Sequence, residues 1–199
     1  LPISEDMSIN FMVVLEEIST AILDAIGDAL RKSKVQIELL TLSEEDLRSS
    51  TDVFPIKFLD IKRNHVIYRG KDVMSDLEIS RDNLRLRCEQ EIKNLMLRLR
   101  LNYVSRKQNS KSIASLLNRI YLSLIRNLGV LVELKSGDVL VTNSDIIKGV
   151  GKLGIDILAL HDVEKLRQDN FSVELEDRKR LLEKVMHCVR DAAAMADKL

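Results

Sequence analysis

The sequence changes its apolar periodicity once, close to residue 80. Before that point, short apolar runs alternate with one amphipathic segment, a pattern that predicts strands joined by helices. After it, apolar residues recur every three or four positions almost to the end of the chain, which is typical of bundle helices. The switch predicts an α/β segment at 1–79, a reduced mixed sheet with flanking helices, followed by an all-α bundle domain at 80–199.

The α/β segment begins with a continuous apolar run at 9–15 that is rich in β-branched residues. Such a run predicts a strand buried on both faces. The apolar stripe of 16–33 predicts a helix packed against that strand, and 35–40 predicts a second short strand. Ser43 with Asp46 three residues later predicts the capped start of a short helix.

A third strand is predicted at 56–61, because Pro55 precedes this apolar run and proline is tolerated at the first residue of a strand. The pattern of residues 64–79 predicts an irregular connecting segment with a short strand at 65–68. The mixed charges and Gly70 in this stretch favour irregular structure over a longer element.

Five helices are predicted in the second half of the chain, at 84–99, 113–125, 144–152, 162–168 and 174–196. Gly129 is expected to end the second of them. Residues 130–142 are compatible with a tight turn or a small hairpin. The broad apolar face of 113–125 predicts packing against a second copy of the chain, so we expect a homodimer.

The charges are balanced in total and unevenly placed. Residues 1–60 carry twelve acids against five bases, and residues 81–126 carry eleven bases against three acids. This asymmetry favours docking between segments over a nucleic-acid surface. Nucleic acid is not an expected partner, because four phenylalanines, three tyrosines and no tryptophan leave little surface for stacking bases.

Metal-ligand spacing is absent from the sequence. Cys88 and Cys188 lie a hundred residues apart in helical patterns, which predicts two buried thiols. The three histidines are scattered, so a zinc site is not expected. No apolar run approaches the roughly 20 residues that a membrane helix needs, and no signal peptide is visible, so we expect a cytoplasmic protein without a membrane partner.

Three stretches resemble the DNA polymerase beta-like nucleotidyltransferase superfamily. They are Asp-Val-Phe-Pro-Ile-Lys-Phe-Leu-Asp-Ile-Lys at 52–62, Val-Ile-Tyr-Arg-Gly-Lys-Asp-Val at 66–73 and Asn-Leu-Arg-Leu-Arg-Cys-Glu-Gln-Glu-Ile at 83–92. The last is similar to the start of the helical domain that follows the nucleotidyltransferase core in bacterial and archaeal members. The resemblance implies that fold and covers most of the chain.

Active relatives carry a Gly-Ser pair before an Asp-x-Asp that begins an apolar strand. The resemblance places Ser8 and Asn10 at the two aspartate positions, with Asp6 too early in this register to replace either. The Gly-Ser loop would fall upstream of Leu1, so we expect the α/β segment to be N-terminally incomplete. The third carboxylate would fall near Lys57 or Asp60, depending on the register of the predicted strand.

Nucleotidyl transfer uses Mg²⁺, a hard cation that carboxylate oxygens hold. Serine and asparagine offer oxygen without negative charge, so the resemblance implies a degenerate protein that binds a protein partner or a nucleotide, without a cofactor. The alternative is an active Mg²⁺-dependent nucleotidyltransferase that takes its ligands from missing N-terminal residues, from Asp6 or from Asp60.

A third reading concerns the helical domain. Arg180 and His187, with six residues between them, loosely match the Arg-x-His spacing of HEPN-type ribonucleases, whose helical domains resemble this one. Leu181 follows the arginine where those enzymes usually have a polar residue. Of the three functions, ribonuclease activity is the least supported by the sequence.

Overall fold

The computed structural model describes residues 8–105, 109–168 and 174–199, which are mostly helical with a small parallel sheet. The elements are β1 (Ser8–Leu15), α1 (Thr20–Lys32), β2 (Gln36–Ser43), α2 (Glu44–Ser49), α3 (Pro55–Asn64), α4 (Arg81–Val104), α5 (Ser110–Ser136), α6 (Asn143–Lys152), α7 (Leu158–Gln168) and α8 (Leu175–Ala196). This order is compatible with an α/β segment followed by helices.

A β-α-β unit opens the fold. β1 and β2 pair in parallel, from Ser8 opposite Gln36 to Leu15 opposite Ser43, which confirms the first two predicted strands. The prediction that β1 is buried on both faces is wrong: no described residue of β1, α1 or β2 is fully buried. In the described residues the sheet is two strands wide, too narrow for apolar faces to be enclosed.

A small core lies beneath one face of this sheet. Phe58 of α3 is its largest fully buried side chain. The cluster comprises the buried Leu47, Phe58, Met74 and Leu77, with Met12, Val14 and Leu42 of the sheet packed against them. Met12 and Val14 alternate with residues of the opposite face, as the period of a strand requires. The sheet is therefore held by α2, α3 and the segment that leads to α4.

α2 begins as the sequence predicts. The Ser43 hydroxyl accepts a hydrogen bond from the Asp46 amide at 3.0 Å, and the Asp46 carboxylate accepts one from the Ser43 amide at 2.9 Å. This reciprocal arrangement satisfies two backbone donors at the start of the helix. The predicted cap is confirmed.

The predicted third strand is wrong, because residues 55–64 form helix α3. Proline fixes a φ that suits the first residue of a helix as well as that of a strand, and Pro55 occupies the first helical position here. Ile56 and Leu59, three residues apart, both belong to the bundle core. The predicted strand at 65–68 is wrong as well, since residues 65–80 contain neither helix nor strand.

The bundle core lies between α4, α5 and α8, with α6 and α7 against α5. α5 spans 27 residues and passes Gly129 without a break, so the predicted helix end and the alternative of a hairpin at 130–142 are both wrong. Gly129 lies at a close helix contact: a Cβ there would be 3.1 Å from Cδ1 of Ile146. Gly137, with φ of 81°, ends the helix instead.

The apolar face of α5 that predicted a homodimer contact is filled by helices of the same chain. Its members Ile113, Leu116, Leu117, Ile120, Tyr121, Leu124 and Ile125 are all buried. A homodimer would therefore need another surface. Within the described residues, no helix combines the length and the apolar character that crossing a membrane requires.

Helix α3 connects the small core to the bundle. The Arg63 guanidinium donates two hydrogen bonds to the Glu133 carboxylate of α5, at 2.7 and 2.8 Å. Ile56 on the same helix lies in the bundle core. The two hydrogen bonds between Arg63 and Glu133 fix the orientation of both side chains more specifically than an attraction between two point charges would. The predicted boundary near residue 79 thus separates the sheet with its small core from the helical bundle, and α3 packs against both.

Candidate functional site

The candidate site is the polar end of the sheet face that covers the small core. Asn10 on β1 and Glu38 on β2 stand directly opposite each other in the parallel register. Both share the face of Met12 and Val14, because residues two apart on a strand point the same way. Both are exposed, whereas the apolar residues further along the same face, such as Met12 and Val14, are partly covered.

The two side chains are close enough to share a ligand. Neighbouring strands lie about 4.8 Å apart, so residues in register project side by side from the sheet. Neither the Asn10 nor the Glu38 side chain makes a hydrogen bond or ion pair with another described residue. The pair offers one negative charge, one amide carbonyl and one amide donor group. That set can accept hydrogen bonds from a polar ligand and donate to one.

Ser8 lies at the start of β1, opposite Gln36. Ser8 and Asn10 therefore lie on the same strand. Asp6, the residual carboxylate on this side, lies outside the described residues. The described part of the site therefore contains a single carboxylate, that of Glu38.

Lys57 and Asp60 do not join the sheet residues as strand neighbours, because both lie on α3. Oδ2 of Asp60 is 3.4 Å from Nε of Arg126 on α5, and its Oδ1 accepts a hydrogen bond from Asn64. These contacts assign Asp60 to the attachment of α3 to the bundle. Lys57 is exposed on the helix surface. The expectation that one of them occupies a ligand position on a third strand is wrong.

Arg180 and His187 both lie on the exposed side of α8. Arg180 lies 3.6 Å from the Asp177 carboxylate, and Nδ1 of His187 lies 3.0 Å from the Arg190 guanidinium. Seven residues along a helix correspond to roughly 10 Å of rise. Within one chain, the two side chains thus contact their own neighbours and do not converge on a shared point.

The cysteines are buried as predicted. Burial raises the pKa of the Cys88 and Cys188 thiols to about 12, so both are protonated at neutral pH and unsuited to nucleophilic or ligand chemistry. Among residues 8–105, 109–168 and 174–199, no group of three or more histidine, cysteine, aspartate or glutamate side chains could hold a metal ion.

An open groove of about 890 Å³ lies between α3 and the start of α4. Its lining residues are Thr51, Lys62, Ser75, Asp76, Leu77, Glu78, Ile79, Ser80 and Asn83. The Lys62 ammonium donates a hydrogen bond to the Leu77 carbonyl at 2.8 Å, and two carboxylates share the wall with it. Neither Asn10 nor Glu38 lines this groove, so it is separate from the sheet site.

Glu38 is the residue that sequence reasoning missed. The first two predicted strands are confirmed, with a helix between them. In the structure Asn10 and Glu38 are each the third residue of an eight-residue strand, but the predicted strand starts, at 9 and 35, would place Asn10 opposite Gln36. The resemblance instead places the third carboxylate on the apolar run after Pro55.

Comparison of the chain with models of known families, with curated proteins and with solved structures gives no match.

Proposed function

We propose that this chain is a degenerate nucleotidyltransferase-like protein that binds a protein partner or a nucleotide without transferring a nucleotidyl group. In this proposal the β-α-β unit with α2 and α3 is a reduced nucleotidyltransferase-like core. The helices from α4 onwards are the HEPN-like bundle that follows it. The motif resemblance supports the assignment, and the parallel pairing of β1 with β2 is compatible with it.

The observation that carries the proposal is the composition of the Asn10–Glu38 pair. A two-metal transfer site needs several carboxylates around ions roughly 4 Å apart. The described residues on this sheet face supply one, beside a neutral amide. Mg²⁺ loses its hydration water reluctantly, so a single carboxylate is not expected to bind it firmly. The pair is better suited to hydrogen bonding with an uncharged or weakly basic ligand group.

The test combines binding and turnover. The protein is titrated with ATP and with GTP, once with Mg²⁺ and once with EDTA, by isothermal titration calorimetry. In parallel, radiolabelled triphosphates are incubated with the protein to detect transfer to itself or to small acceptors. We expect no transfer, and any nucleotide affinity should be the same with Mg²⁺ and with EDTA.

Glu38→Gln is the matched control, because it keeps the side-chain shape and removes the charge. Magnesium-dependent transfer that this substitution abolishes would overturn the proposal in favour of an active enzyme. Transfer that survives Glu38→Gln would also overturn it, and would locate the chemistry outside the sheet pair.

A further inference from the structure

The long helix α4 is apolar on two opposite sides in its C-terminal half. Leu95 and Leu99 face the bundle and are fully buried. On the other side, Leu97, Leu101 and Val104 are 57%, 67% and 76% exposed. At 100° per residue these three lie within about 60° of one another, and about 160° from the buried pair. We call them the outer stripe of α4.

A two-sided apolar helix is typical of one with partners on both sides. The helices α5 and α8 pack against the inner side. The outer stripe extends over two turns at the spacing of i, i+4 and i+7, the spacing at which one helix anchors on another. Isolated exposed leucines need no explanation, but an aligned row of three does.

The charges that α4 carries beside the outer stripe are of one sign. Arg98 and Arg100 lie on opposite sides of it, roughly 70–90° from its centre on a helical projection. Neither makes an ion pair with a described residue. One to three turns earlier on the same helix, Arg87 pairs with Glu91 and Lys93 with Glu89. The sequence contains no acidic residue between Glu91 and Glu133, so α4 itself carries no acid beside the stripe.

We propose that the outer stripe of α4 docks an acidic amphipathic helix of another protein. The partner's apolar side chains would cover Leu97, Leu101 and Val104, and its flanking carboxylates would pair with Arg98 and Arg100. The charge complementarity identifies the partner's chemistry: a second α4 would bring the same two guanidiniums against each other, whereas acidic flanks neutralise them. The inference is independent of the sheet site.

The test uses two designed peptides and the whole chain. Both peptides are helical, with identical leucines at a and d positions; one carries glutamates at the flanking positions and the other carries lysines. Binding is measured by fluorescence anisotropy at low and at high salt. We expect the acidic peptide to bind at least about tenfold more tightly than the basic one, with the difference reduced by salt.

Two variants separate apolar from charged contributions. Leu97→Ser with Leu101→Ser should reduce binding of the acidic peptide about tenfold or more, because the anchors are removed. Arg98→Glu with Arg100→Glu should invert the preference and favour the lysine peptide. All four positions are exposed, so circular dichroism and the melting temperature should stay close to those of the unchanged protein.

The remaining outcomes overturn the proposal. Equal binding of both peptides, or no binding of the acidic one, would remove the charge-selective helix site. Binding to phosphatidylserine vesicles without binding to the acidic peptide would make the stripe a membrane contact. Self-association in sedimentation velocity, lost in the Leu97→Ser and Leu101→Ser variant, would make a second copy the occupant.

Discussion

Nε2 of the His65 imidazole lies 3.1 Å from Oδ1 of Asp72, across the irregular segment that joins α3 to α4. The other ring nitrogen, Nδ1, lies 3.1 Å from the carbonyl oxygens of both Ile61 and Lys62. Carbonyls only accept, so Nδ1 donates to the C-terminal end of α3. Asp72 in turn accepts hydrogen bonds from the Met74 and Ser75 amides. The pair thus ties the helix end to the turn that delivers Met74 to the small core.

Replacing His65 with alanine should destabilise the protein by about 1 kcal/mol, since carbonyls at the end of α3 lose their donor and the turn loses its tie. Chemical denaturation measures the change. His65→Ala combined with Asp72→Asn should cost less than the sum of the single changes, because the two groups interact. Additive effects would mean that the imidazole and the carboxylate act separately.

The free energy of unfolding should decrease at acid pH, because the carboxylates of two aspartates become protonated there. At Asp46, the hydrogen bonds from the Ser43 amide and hydroxyl lower the pKa of the carboxyl. At Asp72, partial burial would raise the pKa, but hydrogen bonds from Met74, Ser75 and His65 outweigh it and lower the pKa overall.

A lowered folded-state pKa means that the stabilisation is fully present above the unfolded value, about 3.9, and is lost as the pH falls through the folded value. Unfolding should therefore be followed by urea titration between neutral pH and the acid range. Asp46→Asn with Asp72→Asn should flatten the decline. An unchanged slope in this double variant would assign the acid sensitivity to other carboxylates.

Features that depend on neighbouring residues were predicted from the sequence better than contacts between distant segments. Ser43 and Asp46 form the expected cap because the signal lies within four residues. Pro55 misled the prediction because its fixed φ suits a strand start and a helix start equally, and the choice was made by distant packing of Ile56 and Phe58. Asn10 was placed correctly on β1, but its neighbour Glu38 depends on a register set between strands 28 residues apart, which no local pattern specifies.

Glycine substitutions test how tightly α6 packs. A Cβ at Gly149 would lie 2.6 Å from Cδ1 of Leu140 and 3.1 Å from Cγ1 of Val132, so Gly149→Ala should destabilise the protein by about 1–3 kcal/mol through overpacking. Gly27→Ala is the matched control, because α1 offers only the mobile end of Arg31 at 3.3 Å. That control should stabilise by about 0.5–1 kcal/mol through helix propensity. Thermal unfolding of both variants compares them; a neutral Gly149→Ala would contradict the close approach.

The last prediction concerns the sheet site directly. Because the register of β1 and β2 places Asn10 beside Glu38, Asn10→Asp sets two carboxylates side by side on neighbouring strands about 4.8 Å apart. Two carboxylates can share one divalent cation through their oxygens. We expect Asn10→Asp to bind Mn²⁺ or Mg²⁺ at least about tenfold more tightly than the unchanged protein, a gain of about 1.4 kcal/mol.

Calorimetric titration with each cation provides the measurement, and Asn10→Asp with Glu38→Gln provides the control. The control restores a single carboxylate to the pair, so its affinity should return to that of the unchanged protein. Equal affinities of the single and double variants would mean that Glu38 does not contribute to the site. The cation would then be bound by the new carboxylate on β1 alone. That result would contradict the pairing of Asn10 with Glu38, on which the proposed loss of transfer activity depends.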